Sequence, residues 1–262
     1  MRTSSILALI FAGICTAAAA DDRKAQSEDM LKQAKAEQRA LVKAMAGPSQ
    51  ADVGDPDSFG RNVHFLGVAQ TGGVTVTGPG GCPPPDPNFP DDRCVEANPT
   101  AFIEVRDIGR INLPAKASNS ILCHSLTSLP IWTFSNPTTF RVFAAFQYTA
   151  SVTIENEVLN DPSLIDPNTG LPFNGKIEVA FGLITDRQTM QPGDVATRRH
   201  SSTRACIGGL VSKMALTQGF GLTDAQADAF FKKPMTLRLN ITLSTAFVDN
   251  AFVLFGLRLF GD

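Results

Sequence analysis

The chain has 262 residues, 43% apolar and 18% charged, with 23 Lys plus Arg against 25 Asp plus Glu. That length fits one sizeable domain with a real core; the even charge excludes an electrostatic nucleic-acid binder, and the apolar content excludes a disordered chain. Phe occurs 18 times but Trp and Tyr once each, a set better suited to filling an interior than to building an aromatic recognition surface.

Residues 1–20 begin with one charge, Arg2, followed by an apolar run from Ile6 to Ile14, then Thr16 and four alanines. A charged start, a short apolar middle and a small-residue exit form the pattern of a secretory signal peptide, cleaved near Ala20 to leave Asp21 first. The run is far shorter than the roughly 20 residues a membrane-spanning helix needs. Ile14 precedes Cys15 where a lipoprotein signal requires a small residue, so no lipid anchor is expected. The expected location is secreted or periplasmic, with no transmembrane helix in the mature chain.

From Asp22 to Ala46 nearly every residue is a strong helix former. Leu31, Ala34, Gln38, Leu41 and Met45 recur at three- and four-residue steps, Met30 and Val42 widen the stripe, and Gly47-Pro48 ends it. The spacing predicts an amphipathic N-terminal helix over 21–47. It mediates association with a partner, lies across its own domain, or is a frayed extension. Residues 48–62 read as a linker or lead-in loop.

Beyond Val63 the pattern changes to period two. Val74 and Val76 alternate with Thr75 and Thr77 in a short strand pair bounded by glycines. Strands are expected at Phe102–Arg106 and Ile108–Leu113. The strongest alternation places Phe140, Val142, Ala144, Phe146, Tyr148, Ala150, Val152 and Ile154 on one face. Ile177, Val179, Phe181 and Leu183 make a second such set; Met235, Leu237, Leu239, Ile241 and Leu243 make a third. The run from Ala251 to Phe260 is apolar on both faces and reads as a central, doubly covered strand. Thr223 and Gln226 form a capping box for a short helix stopped before Pro234. Many strands, few helices and long separations predict a mostly β domain over 63–262: an antiparallel β-sandwich of jelly-roll or Greek-key type.

Removal of the leader leaves Cys82, Cys94, Cys123 and Cys206. In an exported chain, four cysteines with no C-x-x-C pair point to disulfides before metal. Three pairings exist. Cys82–Cys94 is favoured, because the intervening PPPDPNFPDDR is polar, proline-stiffened and turn-forming, and Cys123–Cys206 then follows as a long-range staple.

Catalytic equipment is sparse. G-x-S-x-G and H-E-x-x-H are missing, and His64, His124 and His200 lack the close-spaced ligand pair of a metal site. Asp52, Asp55 and Asp57 in one loop, and Asp161, Asp166 and Asn168 in another, offer hard oxygens that can hold calcium. Neither loop has EF-hand spacing, and the same letters are what turns use. No other cofactor is signalled. Glu155, Glu157 and Glu178 are the carboxylates a glycosidase would need, without the aromatic platforms that accompany them. Arg198, Arg199 and Arg204 make the only basic cluster and read as a solvated turn.

The functional expectation is an exported, non-enzymatic β-sandwich with a binding or structural role in the cell envelope or extracellular space. Its partner would be a protein or other envelope component, not nucleic acid. One alternative is an outer-membrane β-barrel, suggested by the long alternating strands and opposed by the missing Trp/Tyr girdles. The other is a hydrolase with an unrecognised carboxylate or His site.

Overall fold

The computed structural model describes residues 68–84, 87, 93–116, 121–205 and 211–261, together with scattered positions between 25 and 40. Most of this is strand: β1 (Val68–Thr77), β2 (Arg93–Glu96), β3 (Ala101–Leu113), β4 (Ile121–Ser135), β5 (Val142–Asn156) and β6 (Lys176–Met190) lead the chain. Then come β7 (Val195–Arg199), β8 (Ser202–Ala205), β9 (Val211–Ser212), a helix at Asp224–Lys232, β10 (Met235–Ala246) and β11 (Val248–Gly261).

The strands form two sheets. One runs β2-β1-β11-β4-β7, with β8 and β9 also pairing to β4; the other runs β3-β10-β5-β6. Short β2 lies parallel to β1, while the long strands pair antiparallel. The two sheets share one apolar core between them, as a β-sandwich requires. A membrane barrel would instead close one sheet and turn its apolar residues outward.

Alternation decides which side chains enter that core. On β5, Val142, Ala144, Phe146, Tyr148, Ala150, Val152 and Ile154 are all buried, and on β10 so are Met235, Leu237, Leu239, Ile241 and Leu243. β11 sits between β1 and β4 with both faces covered, as its unbroken apolar run demands. The capping box forms: Thr223 Oγ1 accepts from the Gln226 amide while Gln226 accepts from the Thr223 amide. A disulfide joins Cys82 to Cys94 with Cα atoms 5.7 Å apart, closing the loop between β1 and β2.

Four local expectations need correction. Phe140 is exposed, because β5 begins only at Val142 and the preceding turn is closed by Asn136, whose Nδ2 donates to the Phe140 carbonyl at 2.8 Å. Leu183 is also exposed. Phe181 and Gly182 (φ 97°) together oppose Ala150, and this bulge swaps the faces, so that Ile184, Asp186 and Gln188 point inward beyond it. The strands expected at Phe102–Arg106 and Ile108–Leu113 are one strand, bulged where Asp107 adopts a left-handed φ of 57° and its amide donates to Asn240 Oδ1. The basic segment at Arg198–Arg204 is two short strands rather than a turn, β7 and β8, broken at His200-Ser201.

Residues 1–20, Asp52, Asp55, Asp57, the linker 48–62, His64 and Cys206 lie outside the described residues, and so does the Cys123–Cys206 pairing. Of the 21–47 segment, Ala25, Asp29, Lys32, Gln33, Lys35, Ala36 and Ala40 have helical backbone; no continuous helix is established from them. Among the described residues no helix is long and apolar enough to cross a membrane.

Candidate functional site

Among the described residues four buried side-chain atoms make no hydrogen bond of good geometry: Ser128 Oγ and Trp132 Nε1 on β4, Tyr148 OH on β5 and Asn250 Oδ1 on β11. Ser128 and Tyr148 are near enough to act on one another, which leaves the Trp132 indole as the unpaired donor. An indole N–H can only donate, and leaving it unsatisfied in an interior costs about 1–3 kcal/mol. Burial drives the Tyr148 phenol well above its ordinary value, with the nearby Ser128 hydroxyl acting in the opposite direction. Trp132 lies flat on Phe146, ring centroids 4.4 Å apart and planes 6° from parallel.

Pairing register places an open rim over this floor. Arg198 is the direct cross-strand partner of Trp132, Ser202 that of Ser128, Asp186 that of Phe146, and Ile184 that of Tyr148. The β6 bulge is what aims Ile184 and Asp186 here, since without it their faces would reverse. Arg198 reaches across the sandwich edge, donating from Nη2 to Gln188 Oε1 at 2.7 Å and lying 4.0 Å from Asp186. The result is a cleft of about 510 Å³ between the β6 and β7 edges, lined by Trp132, Ile184, Asp186, Arg198 and Ser202, with Arg199 and exposed His200 also on its wall. It joins the Trp132 indole, the apolar Ile184 side chain and a rim on which Arg198 faces Asp186.

The other sequence candidates are engaged elsewhere. Asp161 accepts from the Ser163 amide and hydroxyl, which hold its carboxyl below the ordinary carboxylate value. Asp166 accepts from the Asn168 amide and side chain and from Thr169. Both are the side-chain-to-backbone bonds of turns. No group of three or more His, Cys, Asp or Glu among the described residues is arranged to hold a metal ion.

The carboxylates lie on or beside the outer face of the four-stranded sheet. Glu155 takes two hydrogen bonds from Arg238 (2.7 and 3.1 Å), which also reaches Asp107 at 2.8 Å, tying β5, β10 and β3 together. Glu178 receives Arg106 and the Ser151 hydroxyl, and Glu157 pairs with Lys233. A second cleft of about 440 Å³ beside Glu155, Glu157 and Asn156 has these cation-paired carboxylates in its wall.

Sequence reading passed over Trp132 and Tyr148 as too few to form a recognition surface. The signal that finds them is their singularity: one Trp and one Tyr in the chain, both polar-tipped aromatics placed in a Phe-built core.

No protein-family model and no curated protein matches the sequence. Among solved structures, particles of the Gx and Gt strains of infectious bursal disease virus share 9% and 8% identity with this chain, over 62% and 74% of its length, at TM-scores of 0.18 and 0.19. A VP2 protein of the same virus shares 8% over 73% at 0.16. The chain spans about a third of the length of each (31%, 37% and 35%). At such scores the correspondence bears on neither fold nor function.

Proposed function

We propose that this chain is an exported, non-enzymatic binding module of the cell envelope or extracellular space, and that its ligand is a small amphipathic organic anion held in the β6–β7 cleft. Residues 1–20 act as the signal peptide, 21–47 form an amphipathic helix, and 63–262 fold as a jelly roll. The strand orders β1-β11-β4-β7 and β3-β10-β5-β6 support that topology. In each sheet early strands pair with late ones, as when one long hairpin is rolled up.

The observation that carries the binding role is the unpaired indole N–H of Trp132, in the wall of a cleft whose rim bears Arg198. Buried polar groups without partners are few in folded proteins, and an unpaired indole N–H in the wall of a cleft suits a ligand that accepts hydrogen bonds. Arg198 and His200 favour a negative end; Trp132 and Ile184 favour an apolar body.

Trp132 is the chain's sole tryptophan, so its fluorescence reports the site directly. Titration of the processed protein with octanoate should give a saturable change in Trp132 emission. Octanol should bind more weakly, and Arg198→Ala should weaken octanoate about tenfold, the worth of one charge-assisted contact. A flat titration with both probes would remove the binding reading. Fractionation of cells expressing the full chain tests export, which is refuted if the uncleaved chain stays in the cytoplasm.

A further inference from the structure

The outward face of the seven-stranded sheet carries a second apolar cluster, separate from the core: Leu129, Ile131, Phe252 and Leu254. Register makes it a compact square, with Ile131 opposite Phe252 and Leu129 opposite Leu254 on adjacent strands. Their sequence neighbours Trp132, Ala251, Val253 and Phe255 face the core, so these four face away from it. Yet all four are 5% exposed or less. A sheet face open to water does not bury Phe and Ile to this degree; something lies on it.

The described contact on that face comes from the N-terminal segment. Lys35 Nζ stands 5.0 Å from the centroid of the Phe252 ring and donates to Thr75 Oγ1 at 3.5 Å. Thr75 is the cross-strand neighbour of Phe252, so one lysine spans the β1–β11 border of the patch. Ala25, Asp29, Lys32, Gln33, Ala36 and Ala40 are exposed, whereas Lys35 is half-buried. The exposed positions recur at three- and four-residue steps, the trace of the solvent side of one helix. Asp29 and Lys32 form an ion pair on that side.

We infer that residues 21–47 are the built-in occupant of this patch: an amphipathic strap, laid across β11 and β4, that masks an interaction surface on the sandwich. Helical spacing assigns Leu31, Ala34, Gln38, Leu41 and Met45 to the same side as Lys35. The inference rests on the helix of the proposed reading and is independent of the cleft. In this proposal the strap occupies the patch, and a partner reaches it only when the strap leaves. Released, it uncovers a square of four large apolar side chains, a surface suited to the apolar face of a partner helix.

The test places a reporter thiol in the patch, Leu129→Cys, in the full processed chain, and reads maleimide labelling at residue 129 by peptide mass. Labelling should be slow, and at least tenfold faster when Leu31→Asp and Leu41→Asp are added. An unchanged Trp132 emission spectrum and an intact Cys82–Cys94 bond certify that the sandwich has folded. Lys35→Ala, which leaves the stripe intact, should accelerate labelling to a smaller extent. Rapid labelling before the aspartates are introduced overturns the inference, because the patch is then open. So does labelling that stays slow with them but speeds up on dilution, which identifies a second copy as the cover. A far-UV spectrum showing no helix from 21–47 would instead count against the helix itself.

Discussion

The indole of Trp132, from the seven-stranded sheet, is stacked on the ring of Phe146, from the four-stranded sheet, with their planes 6° from parallel. The contact pins the two sheets together beside the open β6–β7 edge and supplies the aromatic wall of the cleft. Aromatic pairs of this kind add about 0.5–1.5 kcal/mol beyond the area they bury.

Phe146→Ala removes one half of that stack from a fully buried position. The expected loss is about 3–5 kcal/mol, the usual cost of emptying a buried Phe site. Denaturant unfolding measures it, and the Trp132 emission of the folded variant should shift to longer wavelength as the indole loses its cover.

The Cys82–Cys94 bond closes a loop of sequence separation 12. On the chain-entropy account, restricting such a loop in the unfolded state is worth about 3 kcal/mol. The double variant Cys82→Ser with Cys94→Ser should melt earlier by that amount. An unaltered midpoint would show that the proline-rich loop is already stiff without the bond.

Asp107 titrates with a depressed value because the Arg110 hydrogen bond outweighs the opposing effect of burial, with the charges of Arg238 and Arg110 adding to it. Its ordinary value is 3.8. The folded protein therefore binds this proton less tightly than the unfolded chain does. The stabilisation is complete above 3.8 and disappears as pH falls toward the folded value. Asn tolerates the left-handed backbone at this position, so Asp107→Asn isolates the charge. The variant should be less stable than the parent at neutral pH, and the two should converge in acid. Urea midpoints between about pH 6 and pH 2 read this directly.

Gly72 faces the core on β1, and a methyl placed there would run into the carbonyl of Ile108 on β3. Gly72→Ala should cost about 1–3 kcal/mol, since backbone rather than a flexible side chain must give way. Thermal unfolding of the single variant checks it.

Strands that bury one face were readable from their letters. β5 and β10 alternate cleanly because one face meets the core and the other meets polar neighbours, and β11 declared itself by being apolar throughout. β4 did not. Its outward Leu129 and Ile131 and its inward Ser128 and Trp132 are all buried, which erases the period, and Pro130 argues against a strand interior. Pro130 is accommodated because it falls opposite the His200–Ser201 break between β7 and β8. The bulges at Asp107 and Gly182 are likewise invisible locally, because a bulge is a property of two paired strands. The cleft needs β4, β5, β6, β7 and β8 to meet, and its inward Asp186 depends on one of those bulges. That is why Arg198 could be noticed as a charge but not as the partner of Trp132.

In each sheet a strand made late in the chain stands between strands made early: β11 between β1 and β4, and β10 between β3 and β5. A nascent polypeptide emerging from the ribosome therefore has no way to complete either layer until the stretch beyond Met235 is synthesised. Its middle portion can close the β5–β6 hairpin, but the central ladders must wait, and such long-range pairing is intrinsically slow. A molecule made in this order keeps both of its layers open until its last strands have been synthesised.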